Sequence, residues 1–458
     1  MRSAVCIPLP KTVEHALALL RSAGFSSYAV GGCVRDALLG RKPNDWDITT
    51  AATPLETKAV FSEYRVIETG IQHGTVTVLM EGEPLEITTF RNDGEYKDNR
   101  HPVAVSFSDT VDEDLARRDF TVNAMAYHPA EGLVDLFGGR EDLEHRILRC
   151  VGDPETRFRE DGLRILRAIR FASVLDFSID ETTAQAVHRL RFLLANIAKE
   201  RIREELCKLL CGKGAARILR EYTDVIAEVL PEITPAIDFP HNSKYHCYDV
   251  WEHTLQAIDA SPSDLRVRLA LLFHDLGKPA VKTEDSEGWH FKGHAEVSVT
   301  LADRALRRLC TDNATRESVL TLVRLHDREL VPTPRAVKRL MLKMSDEDIE
   351  RLLHIQRADR RAHAAGYDLP SAMLDEILPL VRRIREENAC LSLRDLAVDG
   401  NDLMDIGIPR GKQLGTLLNA LLERVLDGDL PNEKNALLAA ARTLANATEK
   451  SNETEARP

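Results

Sequence analysis

Two aspartates, Asp45 and Asp47, flank Trp46 at the edge of the apolar run Ile48-Thr49-Thr50. On a β-strand, residues two apart point to the same side, so both carboxylates would share one spot. Like charges side by side are costly unless cations lie between them, and two divalent ions roughly 4 Å apart is an arrangement that phosphoryl transfer uses. A lone D-x-D also describes an exposed acidic loop. Just upstream, however, the apolar run Tyr28-Ala29-Val30 stops at Gly31-Gly32, and Val34 to Leu39 then read as a short helix ended by Gly40. Glycines at such a turn let backbone N–H groups come close to a phosphate, and Arg35, one helical turn in, could grip a phosphate oxygen.

Other residues carry the same kind of chemistry. Glu86 alternates with Leu85 and Ile87 on an expected strand, and would add a third acidic oxygen if that strand lies beside the aspartates; alone, it reads as an exposed strand glutamate. In Arg117-Arg118-Asp119-Phe120-Thr121-Val122-Asn123, two arginines and short hydrogen-bonding side chains suit a triphosphate and a ribose, or else a capped helix start. From Arg146 to Arg220 there are 16 Lys+Arg against 10 Asp+Glu, an inversion in a chain of net charge −12. Arg164, Arg167 and Arg170, three apart, stay on neighbouring faces of a helix. Asp161 is one turn from Arg164, close enough for each to orient the other. Such a pair offers the acceptor and the fork of donors that a nucleobase edge requires, although an ordinary surface salt bridge has the same spacing.

A second group lies far downstream: His253, His274-Asp275 within an HDxGK core, His294, and His326 followed by Asp327. Recurring histidines around an adjacent His-Asp pair can build a cage for one or two divalent metals, whereas a single helical histidine is ordinarily packed or solvated.

Positioning these residues requires a mixed layer of strands and helices, then helices alone. Helical spacing marks 11–23 and 54–61, with Thr53 a cap before Pro54. Strand signals cover 64–68, 75–80 and 85–90, and predict a small mixed sheet with flanking helices. The polar stretch 92–114 reads as a loop, the segments after 146 as helices, and the Glu/Thr/Asn/Ser-rich end after 446 as a disordered tail. Length implies several domains: 1–145 a catalytic head, 146–220 a helical neck, 221–365 a metal-binding helical domain, 366–446 a helical tail domain and 447–458 the disordered end. Hydrophobic content of 43% and charged content of 29% fit a globular protein, and no run is long enough to span a bilayer. The N-terminus lacks a signal peptide's apolar core, so a cytoplasmic location is expected. The eight cysteines include no C-x-x-C pair, which predicts neither disulfides nor a cysteine zinc site; Cys207 and Cys211 read as buried thiols on a helix.

The ordered motifs GGxVRDxxLG, D-W-D, EITTFR, RRDFTVNA and EDGLRILRAIRF resemble the class II tRNA nucleotidyltransferase and bacterial poly(A) polymerase family over about the first 220 residues. The resemblance implies an α+β nucleotidyltransferase head followed by an all-α neck, body and tail. It implies magnesium at Asp45 and Asp47 with Glu86 as third carboxylate, and the triphosphate at Gly32, Arg35 and Arg118 beside Gly31. Asp119 and Asn123 would meet the ribose side. Asp161 and Arg164, supported by Arg167 and Arg170, would pair with cytosine or adenine. The implied reaction is addition of CCA to the tRNA 3′ end from CTP and ATP, with release of pyrophosphate. A poly(A) polymerase or an A-only or CC-only specialist shares these motifs; the acidic charge and the lack of a long basic C-terminal extension weigh against the polymerase. The histidine set resembles the HD metal-phosphohydrolase superfamily, implying a divalent transition metal at His253, His274, Asp275, His294 and His326. A chain acting mainly as an HD phosphohydrolase, with a nucleotide-binding front half, is the alternative of another class.

Overall fold

The computed structural model describes residues 5–68, 70–93, 105–242, 245–286, 288–364, 366, 372–387 and 390–455. The chain divides into two compact units, one of residues 1–234 with 305–311, the other of 235–304 with 312–458.

In the first unit the sequence periodicities become α1 (Lys11–Ser22), β1 (Ser27–Val30), α2 (Gly32–Leu38), β2 (Asp47–Thr50) and α3 (Pro54–Val60). Thr53 caps α3 in a reciprocal capping box with Glu56, and Pro54 occupies the first turn where its missing N–H costs nothing. Strands β3 (Arg65–Ile67), β4 (Thr75–Met80) and β5 (Glu83–Thr89) follow, then a ribbon of β6 (Arg91–Asp93) and β7 (Val105–Phe107). After α4 (Val111–Ala116) come β8 (Met125–His128), β9 (Gly132–Asp135) and α5 (Gly139–His145). The sheet runs β3-β4-β5-β2-β1-β8-β9, with β2/β5 parallel and the other pairs antiparallel. Val13, Leu17 and Leu20 of α1 share a core with Ile48, Phe61, Val76, Val78 and Ile87, each side chain contributing roughly 2 kcal/mol by leaving water.

Helices then follow in the first unit: α6 (Pro154–Glu160), α7 (Leu163–Leu175), α8 (Glu181–Leu190), α9 (Lys199–Leu210), α10 (Ala215–Glu221) and α11 (Thr223–Val229). Helices α7 and α9 meet closely where α9 ends: a Cβ on Gly212 would stand 2.1 Å from Ser173 Oγ. That hydroxyl donates to Leu209 O at 2.7 Å.

The second unit holds α12 (Val250–Asp259), α13 (Leu265–Phe273), α14 (Lys278–Val281), most of α15 (His294–Arg308), α16 (Asn313–Leu325), α17 (Pro334–Met341) and α18 (Asp346–Arg361), then α19 (Ala372–Asp375) to α23 (Lys434–Glu455). Every residue of α13 from Val267 to Phe273 is buried, as suits a helix apolar on all sides.

Three expectations need correction. The stretch 92–114 is not all loop, because β-prone Val105-Ser106-Phe107 pairs with β6 and α4 begins at Val111; its part 94–104 lies outside the described residues. The end is helical through Glu455, since the chain continues past Asn446 with Ala, Glu and Lys among its residues and no Gly or Pro before Pro458. Cys207 and Cys211 are half-buried rather than buried, near the end of α9; none of the eight cysteines forms a disulfide.

Candidate active site

The glycine bend has left-handed backbone at Gly31, φ +83°, where any side chain would be strained, and a Cβ there would lie 2.9 Å from Arg118 Nη1. The Arg118 guanidinium therefore rests against the bend itself. Gly31 N–H donates to Met125 O at 3.1 Å, which ties the bend to β8. Asp114, fully buried on α4, accepts from Arg118 Nη2 at 3.1 Å, from Arg117 Nη2 at 2.7 Å and from the Thr49 hydroxyl at 3.3 Å. Burial works to raise its carboxyl, but the two guanidinium groups hold it below the ordinary range. Sequence reasoning missed Asp114; an aspartate three and four residues ahead of an arginine pair was the available signal.

Asp47 opens β2 and is the register partner of Glu86 on β5, so the expected strand neighbourhood is present. Asp45 is exposed and precedes the strand instead of standing on it. Burial first, then the charges of Asp45 and Glu86, push the Asp47 carboxyl up to about 6 against the pull of Arg118. Three carboxylates crowding one another in this way hold surplus negative charge, and an all-oxygen donor set of that kind fits a hard divalent cation such as magnesium.

A hydrogen-bonded chain runs from the bend into the neck. Arg35 Nη1 donates to Asn123 Oδ1 at 2.7 Å, Asn123 Nδ2 donates to Asp119 Oδ1 at 3.1 Å, and Arg167 grips Asp119 Oδ2 through Nε and Nη2 at 2.8 and 2.6 Å. Burial alone would raise Asp119, but Arg167 and Asn123 bring it down to about 2. The Phe171 ring has the guanidinium carbons of Arg170, Arg35 and Arg167 at 3.4, 5.2 and 5.3 Å from its centroid. Arg170 Nε also donates to Glu205 Oε2 at 2.7 Å.

Asp161 and Arg164 do not orient each other. Asp161 lies in the break between α6 and α7 with extended backbone, its Oδ1 accepting from Leu163 N at 3.0 Å and its Oδ2 from Arg201 Nη2 at 3.0 Å. Arg164, inside α7, turns instead to Glu160 Oε2 at 2.5 Å and to the Arg117 carbonyl at 3.1 Å. The spacing suggested one helix; the extended backbone at Asp161, just ahead of the helical Gly162, separates the two side chains.

In the second unit His253, His274, Asp275, His294 and His326 do converge. Asp275 Oδ1 is 3.3 Å from His294 Nε2 and 3.7 Å from His326 Nε2, while Oδ2 is 3.3 Å from His274 Nε2 and 3.6 Å from His253 Nε2. Asp327 is exposed, and its place is taken by Asp359 of α18, whose Oδ1 is 2.9 Å from His253 Nε2 and 3.5 Å from His274 Nε2. His274 Nε2 is buried with no well-aligned hydrogen-bond partner among the described residues, although both carboxylates stand within 3.5 Å, so two carboxylates and an imidazole nitrogen face one point. That donor set fits a divalent transition metal. Lys278 Nζ donates to Asp275 Oδ2 at 2.6 Å. Nothing in the sequence near His274 announces Asp359, which arrives through packing of α18 on α12 and α13.

Residues 27–149 match the family described as Poly A polymerase head domain, 176–237 that described as probable RNA and SrmB-binding site of polymerase A, and 289–441 that described as tRNA nucleotidyltransferase domain 2, putative. The CCA-adding enzyme of Lactobacillus delbrueckii subsp. bulgaricus is 36% identical over 418 residues, 91% of this chain and 94% of its own. The Bacillus licheniformis CCA-adding enzyme is 34% identical over 435 residues, 92% of this chain and 96% of its own. Among solved structures, the Bacillus stearothermophilus CCA-adding enzyme in complex with CTP superposes with a TM-score of 0.75 at 31% identity, covering 96% of this chain and 98% of that one.

Proposed function

The chain belongs to the CCA-adding enzyme family of nucleotidyltransferases, and on that footing we propose that it completes tRNA by adding CCA to the 3′ end from CTP and ATP, releasing pyrophosphate. The observation that carries this is the register of Asp47 with Glu86 beside the bend where Arg118 rests on Gly31. Asp45, Asp47 and Glu86 would hold magnesium, which when bound supplies charge neutralisation at the α-phosphate and acidifies the attacking 3′-hydroxyl. Arg35 and Arg118 would receive the triphosphate; the Arg35 fork is engaged by Asp36 through Nε and Nη2 at 2.8 and 3.0 Å, so a phosphate oxygen would have to take the place of that carboxylate. Asn123 and Asp119, already fixed by Arg35 and Arg167, present an amide and a carboxylate of settled orientation to the ribose. Asp161 and Arg164 read the base, the first as acceptor and the second as donor. Most of the rate comes from positioning and preorganised charge. A cytoplasmic location follows from the tRNA substrate.

The test is direct. The chain is incubated with magnesium and tRNA transcripts ending at the discriminator base, at C and at CC, with CTP, ATP or both, and the 3′ ends are sequenced. Completion to CCA and no further supports the reading; adenosine tails of indefinite length would select a poly(A) polymerase.

A second activity is favoured by Asp275, whose two carboxylate oxygens face different histidine pairs. We propose that the second unit carries an HD-type phosphohydrolase site for one or two divalent transition metals, held by His253, His274, Asp275, His294, His326 and Asp359. The His274 nitrogen, which lacks a well-aligned partner among the described residues, supports it. Hydrolysis of phosphate esters by the metal-loaded chain, lost on chelation, is the measurement.

A further inference from the structure

We propose that Arg201, on α9, sets the direction in which Asp161 accepts a hydrogen bond, and so is a positioning residue for selecting bases that present an amino group. The proposal rests on the base-reading role of Asp161 given above.

Asp161 is outside any helix, so helical packing does not fix its carboxylate. Two donors do: Leu163 N–H on Oδ1 and Arg201 Nη2 on Oδ2, both at 3.0 Å. The first is a local cap that follows the chain wherever α7 goes. The second comes from 40 residues downstream and is the long-range hydrogen bond that holds this side chain among the described residues. Arg201 is in turn anchored by its helix, because α9 is locked to α7 through Arg170 with Glu205 and through Ser173 with Leu209. Its other terminal nitrogen, Nη1, is buried without a partner among the described residues, leaving a second donor beside the base-reading carboxylate.

A carboxylate offers about four acceptor directions. With one on each oxygen taken from the protein side, the remaining ones accept from an incoming amino group. Cytosine carries that group at C4 and adenine at C6 of the Watson–Crick edge. Uracil and guanine carry a carbonyl at those positions, and acceptor would face acceptor with neither satisfied. Releasing Oδ2 from Arg201 lets the carboxylate turn away, and discrimination weakens before catalysis does.

The full-length chain is assayed for kcat/KM with CTP against UTP on a tRNA transcript ending at the discriminator base, and with ATP against GTP on one ending in CC. In Arg201→Met the CTP:UTP and ATP:GTP ratios fall by ~10-fold or more, and Arg201→Lys, which keeps the charge but not the planar fork, recovers part of the loss. A merely structural role lowers both nucleotides alike and leaves the ratios unmoved, which overturns the proposal. Asp161→Ala is run in parallel. Should it alone lose selectivity, the Arg201 assignment fails while base reading by Asp161 stands; should it keep selectivity, both fail. If Arg201→Met does not fold, Arg201→Gln and Arg201→Lys carry the same comparison.

Discussion

Asp47 and Glu86 stand opposite each other across β2 and β5, the parallel pair of the head's sheet, so that two acidic side chains enter one site from separate strands. Burial first, then crowding by Asp45 and Glu86, makes the charged form of Asp47 costly without a cation. Asp47→Asn is therefore expected to lower nucleotide addition by at least ~100-fold. It should leave the magnesium-free melting temperature unchanged or slightly higher, because a repulsion is removed. The rise in melting temperature that magnesium gives the unaltered chain should disappear. A variant that melts lower and still adds nucleotide would contradict the metal role.

Gly31 is expected to tolerate no side chain. In Gly31→Ala the methyl would meet Arg118 Nη1 at 2.9 Å and the backbone would be held at φ +83°. Strain of about 1–3 kcal/mol should show in denaturant unfolding. Displacement of Arg118 should raise KM for both CTP and ATP by about 10-fold, read by steady-state kinetics.

The depressed carboxyl of Asp119 makes acid stability a reporter of the head–neck chain. Its ordinary value is 3.8 and its folded value about 2, so the folded state favours the ionised form. The contribution, about 2 kcal/mol, is present above pH ~4 and is lost as pH falls through ~2. Asp119→Asn should unfold earlier in denaturant at pH 7 and show a flatter stability profile between pH 4 and 2. Equal slopes in the two proteins would remove Asp119 from the account.

His274→Ala is expected to strip transition metal from the second unit, measured by elemental analysis of the purified chain, while CCA addition with magnesium stays intact. The charges of Asp275 and Asp359 raise His274 to about 10 despite its burial, so a metal must displace a proton there. Affinity should accordingly tighten from pH 6 to pH 8. Retention of the full metal content in the variant would refute the site.

What the sequence disclosed was local. The Gly31-Gly32 bend, the aspartates around Trp46, Glu86 on its own alternating strand and the Arg118 to Asn123 run are each written in a few neighbouring residues; alternation gave the face of Glu86, while its register with Asp47 comes from the parallel pairing of β5 with β2. Long-range partners were hidden. Asp114 was masked by a polar stretch taken for a loop, Arg201 and Asp161 meet only because α9 packs on α7, and Asp359 reaches the histidines from a helix with no motif of its own. Spacing also misled where a break intervened: Asp161 and Arg164 are three apart in sequence, yet the extended backbone at Asp161 lets them face different partners.

The seam at Gly212 and Ser173 carries a consequence for how this protein can be altered. Where two helices touch atom to atom with no intervening methyl, their separation works as a fixed gauge, set by van der Waals radii instead of by adjustable side chains. Attempts to retune the neck for other nucleotides by widening it would have to begin at that seam, since changes made only at the pocket wall would leave its width where hard contact has put it.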